Sequence, residues 1–267
     1  MKQSVLVTGA SSGIGAATAK HLENTGFRVF GTTRRPESLP PGAPDIEWVA
    51  MDVCDEASVG SAVRQVLAAA GSLDALVCNA GFGIFGSIEE VTLDEAHAQF
   101  ETNFFGVLRC LQAVLPGMRE RAAGRVVLVG SLAGRAPLPF QAHYSASKAA
   151  VDTLALSLRN ELHGLGVSVS LVEPGDIRTP FNEATDFSAS THSAYATRIQ
   201  NCRRVVEESL PKAPGPEIVA HAIHRALTAR HPRVRYPVGP DSWSVPCGRR
   251  LLPDWLTLRL LRSHYRV

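Results

Sequence analysis

Tyr144 and Lys148 stand four residues apart in the segment Tyr144-Ser145-Ala146-Ser147-Lys148, inside a stretch of helical periodicity. Residues at i and i+4 lie on one helix face, so phenol and ammonium reach a single site. A free phenol ionises near pH 10 and is a poor proton donor or acceptor at neutral pH. A neighbouring ammonium stabilises the phenolate and brings it toward the working range. The pair is therefore a candidate general acid/base, Tyr144 moving the proton and Lys148 tuning it. Taken alone, a Tyr and a Lys at this spacing also suit an ordinary helix surface, so their weight comes from what surrounds them.

A second chemical feature lies at the start of the chain. Val5-Leu6-Val7 is a short apolar run, Thr8-Gly9-Ala10-Ser11-Ser12-Gly13-Ile14-Gly15 is a glycine-rich turn, and residues 16–22 have helical character. A strand, such a turn and a helix start make a pyrophosphate cradle, because unpaired N–H groups and the positive helix end face the anion. Gly9, Ser11, Ser12, Gly13, Ile14 and Gly15 are its candidate contacts, although G-x-x-x-G-x-G differs from the G-x-G-x-x-G fingerprint and by itself also suits a tight turn. The next strand, Val29-Phe30-Gly31-Thr32, runs into Thr33-Arg34-Arg35-Pro36. NAD(H) sites place an acid here for the ribose 2′-hydroxyl, whereas a 2′-phosphate needs that acid absent and an arginine present. Thr33 occupies the acid's position and Arg34 follows, which points to NADP(H) over NAD(H), with Arg35 or Ser12 supporting. The competing reading is a solvated turn of two arginines before a proline.

The elements that must position these residues are legible from the hydrophobic pattern. Short β-rich runs at 5–7, 28–30, 47–49, 75–77, 126–129 and 167–172 alternate with helical stretches, the pattern of an α/β doubly wound, mostly parallel sheet with helices on both faces. The runs at 5–7, 75–77 and 126–129 are almost wholly apolar, as central strands buried on both sides must be. Two long helices are expected, at about 93–121 and 143–163, with a last helix near 216–230 and a last strand near 234–236. Residues 180–212 form the expected substrate loop. One catalytic domain is read over 1–240, and residues 241–267 form a tail that alternates apolar and basic residues. The tail is read as packed on the domain or a sister subunit, the alternative being contact with an anionic membrane surface.

With Asn79-Ala80-Gly81 after the fourth strand, the glycine turn and the Tyr144/Lys148 segment appear in an order that resembles the short-chain dehydrogenase/reductase family over residues 3 to about 180. The resemblance implies hydride exchange between a nicotinamide and a ketone or alcohol carbon. It implies that Ser131, thirteen residues before Tyr144, binds the substrate oxygen, that Lys148 also holds the nicotinamide ribose, and that Asn103 supports a water linking the lysine to solvent. It further assigns Asn79, Ala80 and Gly81 to the cofactor, Asp52 and Val53 to its adenine, and Pro174, Gly175 and Thr179 to its nicotinamide amide. The residues 79–83, Thr32-Thr33-Arg34 and the tail look most like the 17β-hydroxysteroid and retinol dehydrogenase branch, so a bulky apolar ketone or alcohol is expected. Segments 82–86 and 137–140 with Phe181 and Phe187 are candidate pocket walls or core. A reductase of 3-oxoacyl thioesters is the alternative, with Arg198, Arg203 and Arg204 as a carrier-binding patch. A catalytically silent NADPH sensor is the reading from another class, disfavoured because all four catalytic positions are filled.

Composition narrows the partners. A net charge of +2 spread along 267 residues offers no basic stripe for nucleic acid. Five cysteines in no close pair read as free thiols of a reducing compartment, hence a cytoplasmic protein. The His and Cys residues show no metal-ligand spacing, so no metal is expected. The apolar N-terminal run is too short for an export signal, and no run of about 18 apolar residues is present for a membrane span. The resemblance implies a homo-oligomer, dimer or tetramer, built through the two long helices.

Overall fold

The computed structural model describes residues 2–180 and 194–267. Seven strands form one parallel sheet: β1 (Ser4–Val7), β2 (Arg28–Thr33), β3 (Glu47–Ala50), β4 (Ala75–Cys78), β5 (Gly124–Val129), β6 (Val167–Pro174) and β7 (Arg235–Val238). Their order is β3-β2-β1-β4-β5-β6-β7. The chain therefore starts in the centre, builds outward to one edge, then returns and builds toward the other. The crevice at this reversal, beyond the carboxyl ends of β1 and β4, is where such sheets bind ligands.

Strand side chains alternate between the two faces, and each face has its own core. Leu6, Phe30, Leu76, Leu128 and Leu171 point one way. They meet Val59, Val63 and Val66 of α2 (Glu56–Ala70), Val107, Leu111 and Val114 of α4 (Gly106–Glu120), and Val151 and Ala155 of α5 (Ala142–Glu161). Val5, Val7, Val29, Val77 and Val127 point the other way, onto α1 (Gly13–Asn24) and α7 (Glu217–Thr228) through Ala19, Leu22, Ala222 and Ile223. Each such side chain, fully buried, contributes about 1.5–3 kcal/mol, so the two cores fix the sheet and aim the strand ends at one crevice.

Three expectations from sequence are refined. The stretch 93–121 is not one regular helix: α3 (Leu93–Phe100) gives way to a π-helical turn at Glu101–Phe105 before α4 begins. A capping box starts α3, with the Glu95 N–H donating to Thr92 Oγ1 at 3.2 Å and the Thr92 N–H donating to Glu95 Oε2 at 2.7 Å. The expected loop 180–212 contains α6 (Ala196–Ser209), while residues 181–193, with Phe181 and Phe187, lie outside the described residues. The tail forms two helices, α8 (Ser244–Leu251) and α9 (Asp254–Tyr265), parted at Leu252-Pro253 because proline closes the first. Tyr265 of α9 is buried with Phe85 and with Ile199, Cys202 and Val205 of α6. Among the described residues no helix is long and apolar enough to cross a membrane.

Candidate active site

A cavity of about 920 Å³ opens at the carboxyl ends of the strands. Gly9, Ser11, Ser12, Gly13 and Ile14 line it at the start of α1. Gly9 and Gly13 adopt φ of +65° and +53°, a region that glycine enters without strain. Gly15 does not line the cavity; a Cβ there would sit 2.1 Å from the Gly9 carbonyl oxygen, so its role is to let α1 close on its own turn. Ser12 precedes the helix, and its side chain makes no capping bond. The first N–H groups of α1 are thus left without a side-chain cap and face the cavity, as a pyrophosphate requires.

Asn79 braces this turn. Its amide donates to the carbonyls of Thr8 at 3.0 Å and Gly9 at 3.1 Å, while the Thr8 hydroxyl accepts from the N–H groups of Asn79 and Ala80, both at 2.9 Å. Asn79, Ala80 and Gly81 all line the cavity, as do Asp52 and Val53. The Asp52 carboxylate accepts the Cys54 N–H at 2.9 Å, which fixes this loop. Arg34 lines the cavity beside Thr33, is exposed, and enters no ion pair among the described residues. Arg35 lies outside the lining. Thr179 lies over Gly13, its Cβ 3.5 Å from where a Gly13 Cβ would be, and with Pro174 and Gly175 it lines the same cavity.

Ser131, Tyr144 and Lys148 meet on this cavity. Ser131 lies two residues beyond β5 and caps a short 3₁₀ turn, Leu132–Gly134, by accepting the Ala133 N–H at 3.1 Å. Tyr144 sits on the first turn of α5, where burial raises its phenol above the ordinary value and a hydrogen bond with Ser131 opposes the rise. One turn on, the Lys148 ammonium lies 5.9 Å from the Tyr144 ring centre and donates to the Val129 carbonyl at 3.0 Å. No carboxylate pairs with it among the described residues. Burial alone pulls it down to about 8. The ammonium expected from sequence to bring the phenol down does not outweigh the phenol's burial; what the site offers is a phenol bonded to Ser131 beside a buried cation that no carboxylate pairs among the described residues.

Asn103 is buried in the π-helical turn and does not line the cavity. Its carbonyl accepts the Phe82 N–H at 3.0 Å, and its amide donates to Phe82 O at 3.0 Å and Ser147 Oγ at 3.1 Å. Ser147 in turn donates to the Tyr144 carbonyl at 2.8 Å. Asn103 thus ties the strand-end loop after β4 to the first turn of α5. Gly81 is glycine because a Cβ there would lie 2.9 Å from Asn103 Oδ1.

Sequence reasoning missed an ion network behind the site. Glu173, 1% exposed, takes Arg135 at 2.6 and 2.8 Å and Arg235 at 2.9 Å, and Arg235 also pairs with Asp152 of α5. It links the turn after Ser131, the residue before Pro174, β7 and the helical turn after Lys148. A glutamate ending the apolar run Leu171-Val172 was its signal, since a buried carboxylate demands partners. Also missed were the tail residues that complete the cavity, among them Val245 of α8, Leu252 between the two helices, and Leu260 and Leu261 of α9.

The donor set, an uncapped helix start, a glycine turn and a lysine without a carboxylate, fits a nicotinamide dinucleotide. The family model described as short chain dehydrogenase matches residues 3–188. The chain is 36% identical to a 3-ketodihydrosphingosine reductase of Bacteroides thetaiotaomicron, over 99% of this chain and 98% of that protein. It is also 36% identical to the 17-beta-hydroxysteroid dehydrogenase type 1 of Homo sapiens, over 87% of this chain and 76% of the relative. A crystal structure of a short-chain dehydrogenase from Streptomyces avermitilis superposes with a TM-score of 0.83 at 33% identity, covering 100% of this chain and 96% of that one. Sequence, sheet order and site geometry agree: the chain belongs to the short-chain dehydrogenase family and is an oxidoreductase of that family.

Proposed function

We propose that this protein uses NADP(H) to interconvert a ketone and a secondary alcohol on a bulky apolar, steroid- or retinoid-like substrate. The observation that carries the reading is the meeting of Ser131, Tyr144 and Lys148 on one cavity that also reaches the start of α1 and Arg34. Bound reduced nicotinamide would supply the hydride to the carbonyl carbon. Ser131 orients the carbonyl oxygen and steadies its developing charge. Tyr144 delivers a proton to that oxygen, and in the reverse direction removes it. The Lys148 ammonium offsets the phenolate that reduction leaves behind, and Asn103 positions α5 through Ser147. Arg34, assisted by Ser12 or Arg35, holds the 2′-phosphate. Asp52 and Val53 take the adenine, and Pro174, Gly175 and Thr179 take the nicotinamide amide.

Leu138, Val206, Leu210, Leu252, Leu260 and Leu261 give the other part of the cavity an apolar wall, which suits a bulky apolar substrate, as do the ketodihydrosphingosine and hydroxysteroid in the names of the two relatives. The thioester alternative stays open, with its carrier patch outside the cavity lining. Arg203 pairs with Glu207 at 2.7 Å, and none of Arg198, Arg203 and Arg204 lines the cavity. The protein is read as a cytoplasmic homo-oligomer. The test follows NADPH absorbance with a panel of steroid, retinoid, acyl and aromatic carbonyls. Tyr144→Phe is expected to lower kcat on the order of 10²–10⁴-fold with NADPH binding kept. Equal turnover in the variant would remove Tyr144 from the chemistry, and tight NADPH binding without turnover in the intact protein would favour a sensor.

A further inference from the structure

The tail helices have two faces with different tasks. In α9, Thr257, Leu260, Leu261, His264 and Tyr265 line the cavity, a set spaced i, i+3, i+4, i+7 and i+8 that defines one face. The opposite face carries Trp255, Leu258, Arg259 and Arg262, spaced i, i+3, i+4 and i+7. Large side chains here are left in water: Trp255 is 63% and Leu258 50% exposed on this outer side, Leu260 at the edge of the cavity face is 53% exposed, and Trp243 and Leu251 at the two ends of α8 are each 77% exposed. Isolated exposed apolar residues are ordinary, but two tryptophans and three leucines along consecutive short helices form a concentration that a protein in water alone does not need.

The charges identify what covers it. From residue 241 onward the chain has five arginines (249, 250, 259, 262 and 266) against two aspartates (241 and 254). Arg249 is satisfied by Asp254 at 2.6 Å and Arg266 faces Glu208 at 3.7 Å, while Arg250, Arg259 and Arg262 enter no ion pair among the described residues. A second copy meeting this face about a two-fold axis would set Arg259 and Arg262 against themselves. A surface of negative headgroups over an apolar interior satisfies both the arginines and the tryptophans, whose amphipathic rings prefer that boundary.

We propose that the outer face of α8 and α9 docks this protein on an anionic lipid bilayer. The inner faces of the same two helices wall the cavity, so docking sets that wall against the membrane and gives an apolar substrate a route that avoids bulk water. That last consequence rests on the cavity being the substrate site; the docking itself does not.

The experiment is co-sedimentation of the full chain with vesicles of phosphatidylcholine containing phosphatidylglycerol, and with phosphatidylcholine alone. The intact protein is expected to bind the anionic vesicles, to be released by salt, and to ignore the neutral ones. Arg259→Gln and Arg262→Gln each weaken binding about fivefold, and Trp255→Ser weakens it further, while NADPH binding stays unchanged as evidence of the fold. The proposal is overturned if the intact chain stays unbound, or if the double arginine variant binds as well as wild type. It is also overturned if Trp255→Ser lowers the sedimentation coefficient of a protein that ignores vesicles, which would give this face to a second copy. None of these readouts needs turnover, so a failed activity assay and a failed docking are separable.

Discussion

Lys148 is the residue whose state is expected to set the working pH. Burial lowers its ammonium to about 8, so the charge that offsets the Tyr144 phenolate is present below that value and lost above it. The kcat/KM for reduction is expected to fall as pH rises through about 8, and Lys148→Met to lower activity at pH 7 and erase this limb. The same shift acts on stability with the opposite sense. Between about 8 and the ordinary lysine value of 10.5 the unfolded chain binds the proton that the folded chain has released, so this group's contribution rises with pH across that window. Urea unfolding of wild type and Lys148→Met at pH 8 and pH 10 reads that difference, and a constant gap between the two proteins would refute it. At the other end of the cavity, Arg34 is the cation free to meet a 2′-phosphate. Arg34→Ala is expected to raise the KM for NADPH on the order of tenfold or more, the loss of one charge-assisted contact of about 1.5–3 kcal/mol, and to leave NADH unaffected. Equal losses for both would overturn the preference. These residues were legible in sequence because their chemistry is written in short spacings: four residues from Tyr144 to Lys148, and one strand end for Arg34. What Asn103 touches was not, because its partners Phe82 and Ser147 are 21 and 44 residues away.

At the scale of elements, the central strands were readable because each holds a short apolar run between turns, and their buried faces leave little choice of register. The π-helical turn at Glu101–Phe105 was not readable. Its residues carry the same periodicity as the helices beside it, and the contacts that accompany it are distant in sequence: Asn103 with Phe82 and Ser147, and Thr102 with Cys54. The Glu173 network belongs here too, since it fastens four elements behind the site. Its carboxylate is almost wholly buried, and burial raises its carboxyl against the two arginines that lower it. Removing one member leaves an uncompensated charge, so Glu173→Gln is expected to cost about 3–5 kcal/mol, read as a lowered urea midpoint. The same variant should loosen the Ser131 turn through Arg135 and raise the KM of the carbonyl substrate more than that of NADPH. A variant as stable as wild type would show the network to be dispensable.

For the whole molecule, the fold class followed from the alternation of strand and helix, whereas the cavity's far wall required the tail, whose two short helices join the site through tertiary packing, α9 on α6 and Phe85. The homo-oligomer proposed above would be a further property of the entire chain. Leu93 on α3, Phe105 on the π-helical turn and Leu156 on α5 are 75%, 45% and 38% exposed, and they lie on elements distinct from the tail. A dimer or tetramer is expected in sedimentation, and Phe105→Glu with Leu156→Glu is expected to yield the 28.6 kDa monomer; a wild-type monomer would contradict it. The sheet order has one more consequence, in the order of synthesis. β1 is made first but lies at the centre, and its second neighbour, β4, pairs Val5 with Ala75. At roughly 5–20 residues per second the ribosome needs several seconds to deliver that partner. During that interval one edge of a strand that the finished fold buries completely has no neighbour, so a nascent chain stalled before residue 75 is the form on which a chaperone would act.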